Sequence, residues 1–507
     1  MKFLNKNILF SAISGIFLSY SLITLNSFLI WFAFVPLLLA LPEKKIKESI
    51  FCISIFTLSF GIISYFWIPA TFQKFTDDFS FISILALSSF ILGNLLLFII
   101  WIAAFNYLKI KDNKSPIKKA VLNTILISVL YFVSEFINII SFKGIPWNKV
   151  SLRIALSSNV YFIQTASVIG SLGLSIIVIS FNYLIAEFIK TKNKIILLIG
   201  IGVFVINLLF GFIMVNRTDE SNNKKNVALV SGNVKAETKW TEHGDAIISK
   251  MLSLIKELKK HNPELIIWPE TALPWSYIEN DDILLAIAEI LKGHHTQNLI
   301  GYLTQSEKDS NLVYNSAYLI DNNGKAIDRY DKRILLDFIE KPFLSEDYNK
   351  LLNMSVPSGY DNILRGRRNN LLKTKIGKCK VDICNESLIP GYFNSNDNSF
   401  EFIVNISNDA WFEENQNIEH HFYLARLKAI EYRKYMIINS NRGISGIFDE
   451  KGRILISNTS DSPKKLVSYI IPNSQQTLYS QFPLLIPALS MVICGLFTIR
   501  KIRYIRR

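Results

Sequence analysis

Three side chains in the second half of the sequence have the types and settings to do chemistry. Glu270 follows I-I-W-P, Lys332 lies in R-Y-D-K-R, and Cys384 lies in V-D-I-C-N-E. Each falls at the carboxyl end of a predicted strand, where α/β folds usually place reactive groups. A carboxylate, an ammonium and a thiol are the materials of nucleophilic catalysis. A thiol with a pKa of about 8.5 is mostly protonated at neutral pH and needs a base and a cation beside it to attack. Taken singly, each has a plainer reading. A strand-end Glu or Lys is more often a solvated cap, and a Cys after an apolar run is usually core.

The elements that must position these groups alternate. Strands are predicted over 226–234, 265–270, 298–303, 316–321, 380–384, 402–407, 437–440 and 445–449, with helices over 245–260, 281–292 and 419–434. Short β-rich runs separated by helices predict an α/β sandwich with the helices outside the sheets. The polar stretch 341–368 has no period and reads as a loop, a candidate lid. His420 and His421 open the last of these helices. Being adjacent they point apart, and no Cys or carboxylate lies at zinc spacing, so no metal and no cofactor is expected.

Half of the 507 residues are hydrophobic, and the mean hydropathy is +0.27, too apolar for a soluble protein of this size. The excess sits in 1–215 and 482–499. Spans are predicted at 8–24, 27–41, 49–68, 82–107, 120–140, 161–188, 195–215 and 482–499, the first read as an uncleaved anchor. The net charge of +14 comes from 55 basic and 41 acidic residues. Eighteen of the basic residues lie in the two terminal segments and the loops at 43–48, 108–119 and 190–194, against Glu43, Glu48 and Asp112, while the remaining charges nearly cancel. That is the charge pattern of cytoplasmic loops, so nucleic acid is set aside. An even number of spans puts both termini in the cytoplasm and the globular part outside it. Glu135 sits near the outer end of its span, and Trp147 lies in an outer loop, where Trp is usually an interfacial anchor. Four cysteines are too few for a disulfide framework, and the spacing of Cys379 and Cys384 on one predicted strand argues against a bridge.

Together and in this order, Glu270, Lys332 and Cys384 resemble the Glu-Lys-Cys triad of the nitrilase superfamily. The wider resemblance is to its membrane-bound branch, the apolipoprotein N-acyltransferases. It is carried by V-S-G-N-V-K-A-E-T-K-W at 230–240, W-P-E-T-A-L-P at 268–274, Y-D-K-R-I-L-L-D-F-I-E at 330–340, N-I-S-N-D-A-W-F at 405–412, H-H-F-Y-L-A-R-L-K-A-I-E at 420–431, N-S-N-R-G-I-S-G at 439–446 and G-I-P-W at 144–147. The sequence departs from the family pattern at Ser231, Asp337, Ile339, Asn385 and Glu413.

The resemblance implies an α-helical membrane domain of about eight helices plus a nitrilase-like αββα sandwich, divided as 1–221, 222–475 and 476–507. It implies Glu270 as general base, Lys332 as charge stabiliser and Cys384 as nucleophile, with Glu340, Asn385 (through its backbone N–H) and Glu386 in support. Trp240 and Trp147 are implied as substrate-binding residues, Trp147 at the lipid entrance. The implied reaction is ping-pong transfer of an acyl chain from a membrane phospholipid to the α-amino group of a diacylated apolipoprotein, by a monomer in the bacterial inner membrane with its catalytic domain in the periplasm. A tethered amidase acting on a soluble substrate would not need eight spans. A binding protein without turnover would not need an intact triad.

Overall fold

The computed structural model describes all residues except 1, 43–44, 74–80, 112–114, 145–149, 218–222, 236–239, 338–339, 342–361, 368–370, 392–397, 411–414, 460–461 and 507. The chain forms two units: one comprises 1–142, 147–217 and 482–507, the other 143–146 and 218–481.

Among the described residues, the first unit has seven helices long and apolar enough to cross a membrane. They are α1 (Lys2–Ile23), α3 (Ile46–Tyr65), α4 (Phe81–Leu108), α5 (Pro116–Ser141), α6 (Ala166–Thr191), α7 (Lys194–Asn216) and the last span, Leu485–Ile505. The predicted helix at 27–41 is not one helix. It is a 3-10 turn, Leu29–Trp31, followed by α2 (Val35–Ala40), only six residues long. The segment nevertheless runs back along a neighbouring long helix. Ser19 bonds the Phe60 carbonyl at 3.0 Å and Ser64 bonds Ser19 at 3.1 Å, while a Cβ built on Gly15 would lie against Phe56 and Ser59. Register therefore rises together along α1 and α3, so the two helices are parallel, and the chain between them must return to the starting side. It does so along α6. The Leu25 carbonyl accepts from Ser158 ahead of that helix, Asn182 serves Ile30 and Phe34 within it, and Lys190 reaches the Leu38 carbonyl at its end. Broken backbone is tolerated at membrane depth when protein groups satisfy it, which is the service Asn182 performs.

The second unit is a two-sheet sandwich. One sheet has the order β13-β1-β2-β3-β4-β5, with β6 on β4, and the other runs β12-β11-β10-β9-β8-β7. The strands of the first are β1 (Lys225–Ser231), β2 (Leu265–Ile267), β3 (Gln297–Gln305), β4 (Val313–Ile320), β5 (Ala326–Asp331) and β6 (Ile363–Leu364). The second comprises β7 (Leu372–Thr374), β8 (Gly377–Ile383), β9 (Phe402–Ser407), β10 (Tyr435–Ser440), β11 (Ser445–Phe448) and β12 (Ile454–Asn458), and β13 (Lys464–Ile470) closes the first sheet. Side chains alternate across each strand. Val227, Leu229 and Ile267 meet Val381, Val404 and Ile437 between the sheets. Ala228, Val230 and Ile266 face outward against α8 (Trp240–Leu258) and α9 (Asp282–Ile290). On the far side Ile403 and Ile438 pack on α10 (Asn415–Tyr432). The result is helix, sheet, sheet, helix. The expected loop at 341–368 holds β6, paired parallel to β4, and its stretch 342–361 lies outside the described residues.

Candidate active site

Glu270 and Lys332 leave the first sheet, after β2 and β5, and Cys384 leaves the second, after β8. Both sheet ends turn sharply. Thr271, just after Glu270, has φ +46°, and Cys384 itself has φ +53°. Residues with a Cβ rarely occupy this region, and strain there marks sites held by their surroundings. The Glu270 corner is held by Gly301 on β3, where a Cβ would come 2.5 Å from the Thr271 nitrogen and 2.9 Å from the Glu270 carbonyl carbon. Only glycine lets the corner lie that close.

Lys332 is 1 % exposed, and its Nζ lies 3.1 Å from Glu270 Oε1 and 2.8 Å from Glu340 Oε1. Asn315 on β4 donates to the same two carboxylates, at 2.8 and 3.2 Å, and the Leu336 N–H closes on Glu340 at 2.8 Å. One ammonium between two buried carboxylates leaves a net negative site. Burial works against the charge on Lys332, but Glu270 and Glu340 hold its pKa well above the ordinary lysine range. Burial raises Glu270, Lys332 pulls it back, Glu340 pushes it up again, and the net direction is upward. Cys384, partly exposed, is raised well above a normal thiol, first by burial and then by Glu270, with Lys332 offsetting part of this. The resting sulfur is therefore a protonated thiol within the field of a base and a cation. It must lose its proton in the step that uses it.

This arrangement sets a pH dependence. As the expected base, Glu270 would accept the thiol proton only when ionised, so any acylation of Cys384 is expected to fall as pH drops. The inflection is expected above the ordinary glutamate value of about 4.3, because the folded-state pKa is raised. No matching loss from Lys332 deprotonation is expected on the alkaline side. The acylation rate measured against pH by intact-protein mass checks both limbs.

Glu386 orients backbone rather than the Lys332 ammonium. Its carboxylate accepts from Ile383 N at 2.8 Å, Arg333 N at 2.7 Å, Ile334 N at 3.0 Å and Tyr330 Oη at 3.0 Å. It thus ties the Cys384 turn to the segment that carries Lys332. Burial, then the Asp382 charge, pushes it up to about 7. Asn385 is buried, and neither polar atom of its side chain has a hydrogen-bond partner among the described residues. Trp147 lies outside the described residues; Trp240 opens α8, but its side chain lies outside them too.

Sequence reasoning missed Asn315 and a second buried pair. His421 Nδ1 is 2.7 Å from Asp409 Oδ1, and its Nε2 is 3.1 Å from the Cys384 carbonyl and from Ser387 Oγ. Ser440 donates to the other Asp409 oxygen at 2.9 Å. A carboxylate on one nitrogen and a carbonyl on the other both favour N–H donors, an arrangement that stabilises the protonated ring. Burial alone would lower the His421 pKa, but Asp409 raises it above the ordinary value. Asn405 adds a second donor to the Cys384 carbonyl, at 3.0 Å. These groups fix the strained turn from behind. Asp409→Asn is expected to slow acylation of Cys384 by roughly 10²-fold, the cost of a misplaced reacting atom, with donor KM little changed. Single-turnover acylation at saturating phospholipid measures it.

The sandwich and its chemistry-bearing residues place the globular unit in the carbon–nitrogen hydrolase class: residues 226–478 match the Carbon-nitrogen hydrolase family. Residues 14–184 match the Apolipoprotein N-acyltransferase N-terminal domain. The apolipoprotein N-acyltransferase of Rickettsia typhi is 27 % identical over 372 residues, spanning 71 % of this chain and 72 % of that protein. That of Brucella melitensis biotype 1 is 26 % identical over 372 residues, 70 % and 68 % of the two chains. Among solved structures, Saccharomyces cerevisiae Nit3, a member of branch 10 of the nitrilase superfamily, aligns at 15 % identity and a TM-score of 0.37, covering 53 % of this chain and 97 % of that one. The chain belongs to the apolipoprotein N-acyltransferase family, and is an acyltransferase.

Proposed function

We propose that the protein N-acylates lipoproteins by two successive acyl transfers through Cys384. In the first, Glu270 takes the thiol proton and the sulfur bonds the carbonyl carbon of a phospholipid acyl ester. The ester C–O bond breaks, and the departing lysophospholipid oxygen takes the proton from Glu270. In the second, the free α-amino group of a diacylglyceryl-cysteine bonds the thioester carbon and gives a proton to Glu270. The C–S bond breaks, and the sulfur is reprotonated. In both steps Lys332 and the backbone N–H of Asn385 steady the negative charge on oxygen. Glu340 holds Lys332, and Glu386 holds the turn. Trp240 and Trp147 contact lipid substrate, Trp147 at the entrance. No cofactor or metal takes part.

One observation carries this reading: a buried carboxylate–ammonium–carboxylate cluster whose charges act on a strained, partly exposed cysteine, in a chain with seven membrane-competent helices among its described residues. Both substrates are lipids, so a membrane domain spares each the cost of leaving the bilayer. With the broken segment as an eighth crossing, the basic loops face the cytoplasm and residues 222–475 face the periplasm of an inner-membrane monomer. Purified protein with phospholipid is expected to gain the mass of one acyl chain, then lose it to a diacylated lipopeptide that gains it on nitrogen. Release of free fatty acid with the lipopeptide unmodified would sink the proposal.

A further inference from the structure

Apolar packing joins the two sheets of the sandwich, but it is non-directional and does not by itself fix one sheet finely on the other. The chemistry needs that precision, because Glu270 leaves the first sheet and Cys384 the second. On the Lys332 side, Glu386 supplies a directional tie between them. The strand that carries Glu270 has a tie of its own. Asn439, on β10 of the second sheet, is fully buried, and its side-chain amide crosses to the first sheet. Nδ2 donates to the Val230 carbonyl at 2.9 Å and to the Ile267 carbonyl at 2.8 Å. Pairing of β1 with β2 ends at Leu229 opposite Ile267. One amide thus spans both strands where they part, three residues before Glu270.

The amide is itself oriented. Ser445 Oγ donates to Asn439 Oδ1 at 3.1 Å, which leaves Nδ2 to face the two carbonyls. The next two residues extend the tie. Ser440, on the opposite face of the strand, donates to Asp409, the partner of His421 behind the Cys384 turn. Asn441 exchanges two bonds with Val234 beyond β1, accepting from its N–H at 2.8 Å and donating to its carbonyl at 2.7 Å. The Asn441 carbonyl also accepts from Ser231 Oγ at 2.9 Å. Three consecutive residues therefore hold the ends of β1 and β2 on one side and the back of the Cys384 turn on the other.

We propose that Asn439, oriented by Ser445, is a positioning residue that sets the distance between Glu270 and Cys384. Glu386 fixes the Lys332 segment to the Cys384 turn, and Asn439 does the same for the strand that ends in Glu270. Its consequence for rate rests on the acyl-transfer reading; its consequence for the thiol does not.

Asn439→Leu keeps the side chain's approximate size and removes its donors, and two measurements on the full chain follow it. Single-turnover S-acylation of Cys384 at saturating phospholipid is expected to fall by roughly 100-fold, as misplaced reacting groups do. The half-saturating phospholipid concentration is expected to stay unchanged. Alkylation of Cys384 by iodoacetamide, followed across pH by peptide mass, is expected to titrate at lower pH than in wild type. After burial, Glu270 is the largest upward push on that thiol, with Lys332 offsetting part of it, and a base that drifts away relieves the push. Ser445→Ala removes only the orienting donor. It is expected to show both effects in smaller measure, about tenfold in rate for one lost hydrogen bond, and it stands in if Asn439→Leu does not fold. The control is Gln297→Met, which removes a bond between the sheets at their other end, from the Lys375 N–H at 2.7 Å. It is expected to lower the melting temperature and to leave acylation and the alkylation profile as in wild type. Equal rate losses in Gln297→Met and Asn439→Leu, or a wild-type alkylation profile in both Asn439→Leu and Ser445→Ala, would overturn the proposal. Wild-type protein that takes up no acyl chain would sink the acyl-transfer reading instead, and the alkylation profiles would still decide the role of Asn439.

Discussion

Cys384→Ala is expected to abolish the S-acyl adduct and to lower lipopeptide N-acylation by on the order of 10⁴-fold or more, as loss of a nucleophile does in enzymes that use one covalently. The substitution is clean because both residues carry a Cβ. The strain of φ +53° at position 384 is the same for either, and the hydrogen bonds that hold the turn run to the Cys384 carbonyl, not to its sulfur. An unchanged melting temperature is therefore expected alongside the lost adduct. The nearby thiol on β8, Cys379, cannot substitute. It is fully buried between the sheets, and burial, then Asp382, pushes its pKa well above the ordinary thiol range. Cys52 and Cys494 lie in membrane spans. An acyl adduct of undiminished yield on the Ala variant, located to any other side chain by peptide mapping, would remove Cys384 from the mechanism.

How much of this was legible in the sequence follows the physics of each element. Strands buried on both faces, such as β1, β9 and β10, appear as continuous apolar runs and were found, β9 at its bounds and β1 and β10 to within three residues. The edge-lying β5, A-I-D-R-Y-D, has a single buried side chain, Tyr330, and leaves only a strand end at Lys332. β12 and β13, whose faces are half wet, carry no predicted strand. The segment 27–41 has the hydropathy of a span, but its break depends on Asn182, some 150 residues away, which no local signal announces. The triad was visible only as three strand ends. That they belong together requires the sandwich, because Glu270 and Lys332 come from one sheet and Cys384 from the other. Asn315 left a faint mark: an Asn–Ser pair inside an apolar strand, where polar side chains are disfavoured, needs buried partners. His421 was weighed only as a metal ligand and set aside. Its partner Asp409 lies twelve residues back, and the carbonyl it serves is that of Cys384.

Lys332→Met keeps the unbranched apolar stem and removes the terminal ammonium, so its effects measure what that group does. Glu270 and Glu340 would then face each other in a buried site, with Asn315 between them and the Leu336 N–H on Glu340 as the remaining described donors. Breaking a buried ion pair from one side costs roughly 3–5 kcal/mol at neutral pH. The site can relieve this by binding a proton between the carboxylates, as like charges at close range do. Two consequences follow. The proton falls on the base, so Cys384 acylation is expected to drop by roughly 10³-fold or more, general-base and charge-stabilising contributions being lost together. The folded variant also binds more protons than the unfolded chain at neutral pH, so its stability is expected to rise, relative to wild type, as pH falls toward 5. Adding Glu340→Gln removes the second carboxylate and is expected to restore most of the melting temperature but little of the rate, because the cation beside the sulfur is still missing. Melting curves across pH and single-turnover acylation of the two variants separate these effects. If the double variant regained both stability and rate, Lys332 would be a counter-ion for Glu340 and nothing more.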